Sequence, residues 1–216
     1  MGDYHRYLYD FEAGRIVGDY ESAYKNCADV NPTQHDVDTL KHRLAVDHFA
    51  RYTRPAALLD VGCGYGVFVD ALRRKGFAAS GCDVSSSAIS QGHERYPEAH
   101  LFVGDLRDGL EVIDNSYDGV ILFGVIWFLL EDLDSCLAEI KRVLKPGGEL
   151  FATLTFAPNQ KLGKDVIACP NDLHEYMARH FTVREFLAIT DARALREGNS
   201  PETCEQDILA VGRKEA

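Results

Sequence analysis

LLDVGCGYGVFVDALRRKGF, residues 58–77, sets three glycines into five positions between an apolar run and a helical pattern. The run predicts a buried strand, the glycines a turn, and the residues from Val67 onward a helix. Gly62, Gly64 and Gly66 can take positive φ, which lets ligand atoms come within contact distance of the main chain. Amides at the helix start, near Val67, favour a negatively charged ligand group. The spacing is G-x-G-x-G, whereas the dinucleotide fingerprint is G-x-G-x-x-G, which turns the reading away from a pyrophosphate.

The same rhythm continues outward from this motif. Strands are expected at Ala57–Val61, Ala78–Asp83, Ala99–Val103, Tyr117–Phe123 and Glu149–Phe156, each a continuous apolar run of the kind covered on both faces. Helices are expected at Val67–Lys75, Ser86–Arg95, Leu133–Leu144 and Asn171–His180, with LKPGG (144–148) stopping the third and turning the chain into the next strand. Two later runs, FTVREFLAIT and DILAVGRK, have no helix between them and predict an antiparallel pair at one sheet edge. Together these give a doubly wound, Rossmann-like α/β fold with a mostly parallel seven-stranded sheet, an antiparallel edge strand and helices on both faces.

With 216 residues the chain is long enough for one sizeable core and short for two. The residues before position 55 differ from the rest: Tyr4, Tyr7, Tyr9, Phe11, Tyr20 and Tyr24 crowd there, and Leu40, Leu44, Val46 and Phe49 fall near helical spacing. Residues 1–54 are therefore expected to be a helical lid or substrate segment over a core of residues 55–216. The formal net charge of −11 and the lack of any Lys/Arg-rich run argue against nucleic acid as a partner. Six scattered cysteines with no Cys-x-x-Cys and no leader predict the reducing cytoplasm. The longest apolar stretch, residues 119–130, is too short for a membrane span.

Ligands of doubly wound folds bind at the carboxyl ends of the strands. There the sequence offers an ordered series: the glycine turn, then Asp83 about twenty residues on, where such folds hydrogen-bond a ribose diol, then Gly104-Asp105-Leu106 after the third strand. The segments DVGCGYG (60–66), CDV (82–84), GDL (104–106), YDGVI (117–121) and LKPGG (144–148) together resemble the class I S-adenosylmethionine-dependent methyltransferases over roughly residues 58–156.

The resemblance implies a cofactor, S-adenosyl-L-methionine, leaving as S-adenosyl-L-homocysteine, and a set of contacts. Gly62, Gly64 and Gly66 would hold its amino-acid end, and Asp60 would help orient its ammonium group. Asp83, followed by Val84, would accept both ribose hydroxyls. Asp105 and Leu106 would read adenine, and Phe123 and Gly124 would lie beside the methionine moiety. Each acid also has a plainer reading as a turn or cap residue.

Methyl transfer from a sulfonium needs mainly a dry, aligned acceptor, and a base helps when the acceptor is a hydroxyl or ammonium. Candidates on the acceptor side are His174, beyond the fifth strand, and Tyr20 and Tyr24, which share a helix face. Relatives often carry a histidine pair where this chain has Ile126-Trp127, so no base carries over from there. His5, His35, His42 and His48 are too scattered for a metal site. The expected reaction is transfer to oxygen, nitrogen or sulfur of a small molecule. A catalytically silent cofactor-binding module and a nicotinamide-dependent oxidoreductase are the alternatives.

Overall fold

A computed structural model describes residues 4–10, 12–27, 30, 37–52, 55–157, 161–190 and 206–215. The polar loop at 198–201, Cys204 and His35 lie outside them. The first part of the chain contains α1 (His5–Leu8), a hairpin of β1 (Tyr9–Asp10) and β2 (Arg15–Ile16), α2 (Tyr20–Asn26) and α3 (Leu40–Phe49). The amino-terminal segment, expected to be helical, thus includes a short antiparallel ribbon that pairs Tyr9 with Ile16. Gly14 and Gly18 supply positive φ beside it.

The remaining elements are β3 (Ala57–Val61), α4 (Val67–Arg74), β4 (Ala78–Asp83), α5 (Ser86–Arg95), β5 (His100–Val103), β6 (Tyr117–Phe123), α6 (Leu133–Val143), β7 (Leu144–Phe156), α7 (Pro170–His180), β8 (Thr182–Thr190) and β9 (Gln206–Arg213). Seven strands form one sheet in the order β5-β4-β3-β6-β7-β9-β8. Strands β3 to β7 pair in parallel, and β9 runs antiparallel to both β7 and β8, so the β8–β9 pair makes up one edge.

Two apolar layers clothe the sheet. On one face Phe49, Phe68, Val69, Leu72 and Ile89 of α3, α4 and α5 pack on Leu58, Ile121 and Phe151. On the other Leu133, Leu137 and Ile140 of α6, with Leu173 and Met177 of α7, pack on Leu59, Val120 and Leu150. Burial of these side chains on both sides explains why the central strands are apolar throughout instead of alternating.

LKPGG does more than stop a helix. Its residues belong to β7, where the register with β6 shifts between Tyr117 and Gly119. Gly147 takes φ +75°, its amide donates to the Lys214 carbonyl, and the Lys214 amide donates back to Gly148. A turn-like sequence stays in the sheet because a neighbouring strand accepts its kink.

At the amino-terminal ends of the central strands, α3 is held by a polar cluster. Glu149 accepts from Arg51 Nη2 at 2.5 Å, lies 3.0 Å from His48 Nε2 and receives the Tyr52 hydroxyl at 3.3 Å. The opposite, carboxyl ends are left for the site.

Candidate cofactor and acceptor site

The turn after β3 and the tip of β4 are tied together by Asp83. Its Oδ2 accepts from the Gly64 amide and its Oδ1 from the Ser85 amide, both at 2.9 Å. A carboxylate has room for further donors beyond these two. Burial pushes the Asp83 carboxyl up, and the amides of Ser85 and Gly64 oppose the rise. Asp83, Val84, Gly104, Asp105, Leu106, Phe123 and Gly124 all line one cavity of about 590 Å³ above the strand ends.

Only Gly62 of the three turn glycines lines that cavity. A Cβ on it would come 2.5 Å from Val125 Cγ2, and one on Gly66 would come 2.6 Å from Leu101 Cδ2. Gly66 is needed at φ +79° to start α4 and to let Leu101 pack, which is a structural demand and not a ligand contact. Val67, at the helix start expected to attract an anion, packs its side chain against the apolar cluster of Leu8, Ala23, Tyr24 and Tyr65 and does not line the cavity. Gly124, at φ +68°, has nothing within 4 Å of its would-be Cβ.

Asp60 is buried behind the wall and is not part of the lining. Burial and the like charge of Asp83 raise its carboxyl to about 7, against the pull of Lys41. Asp105 lines the cavity but is already engaged: Arg107 Nε and Nη2 grip its two oxygens at 3.0 and 2.5 Å, and the Arg107 amide donates to Oδ1. The Leu106 side chain is buried, and its amide has no acceptor among the described residues.

Tyr20 and Tyr24 both reach the cavity, with ring centroids 6.3 Å apart. Tyr20 sits edge-on to Phe128 at 4.9 Å, and Tyr24 edge-on to Tyr65 at 5.0 Å. Burial, with Tyr9, Tyr24 and Asp83 adding, drives the Tyr20 hydroxyl well up, so it is a neutral phenol and not a base. His174 is elsewhere: it lies on α7 edge-on to Phe186 of β8 at 5.4 Å and is absent from the cavity wall. The seventh helix turns that side chain toward the sheet edge, which sequence order alone does not reveal. Trp127 lines the cavity and donates Nε1–H to the Thr155 carbonyl at 3.1 Å.

Nothing in the motif spacing marks Lys41. It stands on α3, lines the cavity, and holds its ammonium 5.3 Å from the Phe123 ring centre. Burial lowers its pKa while Asp207 and Asp60 raise it. The signal in the sequence is weak, because Lys41 is one of three consecutive basic side chains, with His42 and Arg43, near the start of that helix. No group of three or more His, Cys, Asp or Glu among the described residues is arranged to hold a metal ion.

The residue set fits S-adenosylmethionine. Asp83, a buried carboxylate with spare lone pairs, Gly124 with its bare backbone, and Leu106, whose amide has no acceptor among the described residues, line the same cavity. A family model described as a methyltransferase domain matches residues 59–152, the stretch that carries these strand ends. The chain carries a class I S-adenosylmethionine-dependent methyltransferase domain.

The methyltransferase domain is 36% identical over 126 residues to a ubiquinone/menaquinone biosynthesis C-methyltransferase of Nitrobacter hamburgensis, covering 54% of this chain and 49% of that protein. A malonyl-[acyl-carrier protein] O-methyltransferase of Salmonella typhimurium is 28% identical over 206 residues, covering 93% of this chain and 74% of the relative. The chain thus spans about half the length of the first relative. Among solved structures, an S-adenosylmethionine-dependent methyltransferase from Mesorhizobium loti aligns with TM-score 0.66 at 16% identity, over 83% of this chain and 100% of that one, a likeness of fold. The cofactor of the domain is S-adenosyl-L-methionine. No helix among the described residues is long and apolar enough to cross a membrane.

Proposed function

We propose that this methyltransferase moves a methyl group to oxygen, nitrogen or sulfur of a small molecule by in-line transfer. The observation that carries the reading is a single enclosure: strand-end residues Asp83 and Gly124 and amino-terminal residues Tyr20 and Tyr24 line the same cavity of about 590 Å³. That volume lies in the range of small-ligand sites, and the net charge of −11 disfavours a nucleic-acid acceptor. Of residues 1–54, expected as one lid segment, α1, the β1–β2 hairpin and α2 serve as the lid, while α3 packs on the sheet as part of the core.

When bound, S-adenosylmethionine supplies a methyl group already activated by its sulfonium. The chain's own work is to bind, align and dry. Asp83 accepts the ribose hydroxyls on the lone pairs that Gly64 and Ser85 leave free. Leu106 donates its amide to the base. Gly62 and Gly124 admit the amino-acid end, and Asp60 supports its ammonium from behind the wall. Lys41 faces the same end and offers a cation to its carboxylate. Tyr20 and Tyr24 exclude water, and Tyr20, as a neutral phenol, donates a hydrogen bond and takes up no proton. Alignment in a dry site can provide several kcal/mol of the acceleration.

Calorimetric titration with S-adenosylhomocysteine tests the site, and release of that product from a panel of phenols, amines and thiols tests the acceptor class. No binding by a folded protein ends the reading. Turnover on RNA and not on the panel would overturn the small-molecule acceptor.

A further inference from the structure

Ser85 joins two parts of the molecule that are far apart in sequence. Its amide donates to Asp83 Oδ1 at 2.9 Å, and its hydroxyl donates to Oε2 of Glu21, 64 residues away, at 2.7 Å. Its Oγ also accepts from the Ala88 amide at 3.0 Å as the N-cap of α5. The Ser85 side chain is fully buried, so its bonds to Asp83 and Ala88 are made away from water, while the bond to Glu21 is partly shielded.

Glu21 makes more than this one contact. Oε2 also accepts from the Ser87 amide at 3.1 Å, and Oε1 accepts from the hydroxyls of Ser87 at 2.6 Å and Ser86 at 3.3 Å. A carboxylate on α2 thereby caps the first turn of another helix, where free amides and the dipole favour negative charge. A second tie runs the other way along the same face, from Gln91 Nε2 to the Tyr24 carbonyl at 3.1 Å.

Helix α2 has seven residues, too few to hold itself in water. Its place depends on what it docks against. Tyr20, adjacent to the first tie, and Tyr24, whose carbonyl takes the second, are the side chains it contributes to the cavity wall.

We propose that Glu21 is a positioning residue that latches α2 onto α5 and, through Ser85, couples closure of the cavity wall to ligand held by Asp83. The coupling rests on the cofactor reading above; the latch does not. Withdrawal of Glu21 frees the Ser85 hydroxyl and uncaps the Ser87 amide, so the backbone that shapes Asp83 loses one of its restraints. A ligand on Asp83 that prefers the restrained shape must, by linkage, favour the docked α2 in return.

Amide hydrogen exchange on the full chain, with and without S-adenosylhomocysteine, tests this in the wild type, Glu21→Ala and Glu21→Gln. In Glu21→Ala, exchange in α2 and at Ser87 should speed up at least tenfold while β3 and β6 stay protected. Affinity for S-adenosylhomocysteine should fall at least tenfold, and the ligand should slow α2 exchange in the wild type more than in the variant. Glu21→Gln keeps an acceptor oxygen and should recover part of both effects. Unchanged α2 exchange in Glu21→Ala overturns the latch, and faster exchange with unchanged affinity overturns the coupling. Should the wild type ignore S-adenosylhomocysteine, the cofactor reading fails and the coupling with it. Exchange without ligand then decides the latch alone, faster supporting it and unchanged overturning it.

Discussion

The Gly64 amide points at Asp83 Oδ2 across 2.9 Å, joining the glycine turn to the tip of the neighbouring strand. The glycine at φ +54° is therefore a donor that aims a carboxylate as well as a bend that clears space. Replacement Asp83→Ala removes an acceptor from two buried amides and from any bound diol. We expect a loss of about 1–3 kcal/mol in stability and at least a tenfold loss of S-adenosylhomocysteine affinity, read by denaturant melts and calorimetry. Full affinity in a folded Asp83→Ala protein would refute the ribose assignment.

Asp60 titrates near neutrality because burial and Asp83 raise its carboxyl to about 7. An ammonium brought near it favours the charged form, so ligand binding around pH 7 should release part of a proton. Calorimetry of S-adenosylhomocysteine in buffers of different ionisation enthalpy measures this. The release should fade by pH 9 and vanish in Asp60→Asn; persistence in that variant would assign it to another group. The raised pKa also means that the native state holds this proton more tightly than the unfolded chain between pH 4 and 7. The contribution of Asp60 to stability accordingly falls as pH rises through that window, by about 1.4 kcal/mol for each pH unit crossed. Asp60→Asn should therefore gain on the wild type at pH 8 and not at pH 4.

Lys41 faces the end of the cavity where Phe123 and Gly124 lie. Lys41→Met should weaken S-adenosylhomocysteine by about ten- to a hundredfold, the worth of a charge-assisted hydrogen bond. It should leave 5′-methylthioadenosine, which lacks the amino acid, unaffected. Equal losses for both ligands would mean that the substitution disturbs the fold and not a carboxylate contact.

Glu149 serves the opposite end of the sheet. Burial pulls its carboxyl up, but hydrogen bonds from His48 and Arg51 outweigh this and hold it at about 2. Because the folded pKa is depressed, its stabilisation is complete above about pH 4.5 and is lost as pH falls toward 2. Glu149→Gln should cost about 3 kcal/mol at pH 7, with less cost in acid, and leave S-adenosylhomocysteine affinity within twofold. A large affinity change there would show that α3 transmits to the site.

Much of the site was legible because its parts are local. Strand, glycine turn and helix follow one another within residues 57–74, and Asp83 ends, while Asp105 and Gly124 closely follow, a strand that its own apolar run reveals. The engagement of Asp105 by Arg107 was not legible, although the two are two residues apart, because side-chain direction in a turn is not written in spacing. The place of His174 outside the cavity wall was not legible for a similar reason: α7 packs on α6 and β8, and that docking decides which way its face looks.

The sequence by itself determined the order of strands and helices from β3 onward, the end of the sheet where the cavity lies and the acid that caps the second parallel strand, since each follows from short-range periodicity and turn chemistry. Tertiary structure alone decided that Lys41 enters the cavity, that Glu21 caps α5, and that β9 inserts between β7 and β8. Those outcomes join residues that lie far from one another along the chain. They depend on which surfaces bury together once the chain is closed, a competition that no local pattern encodes.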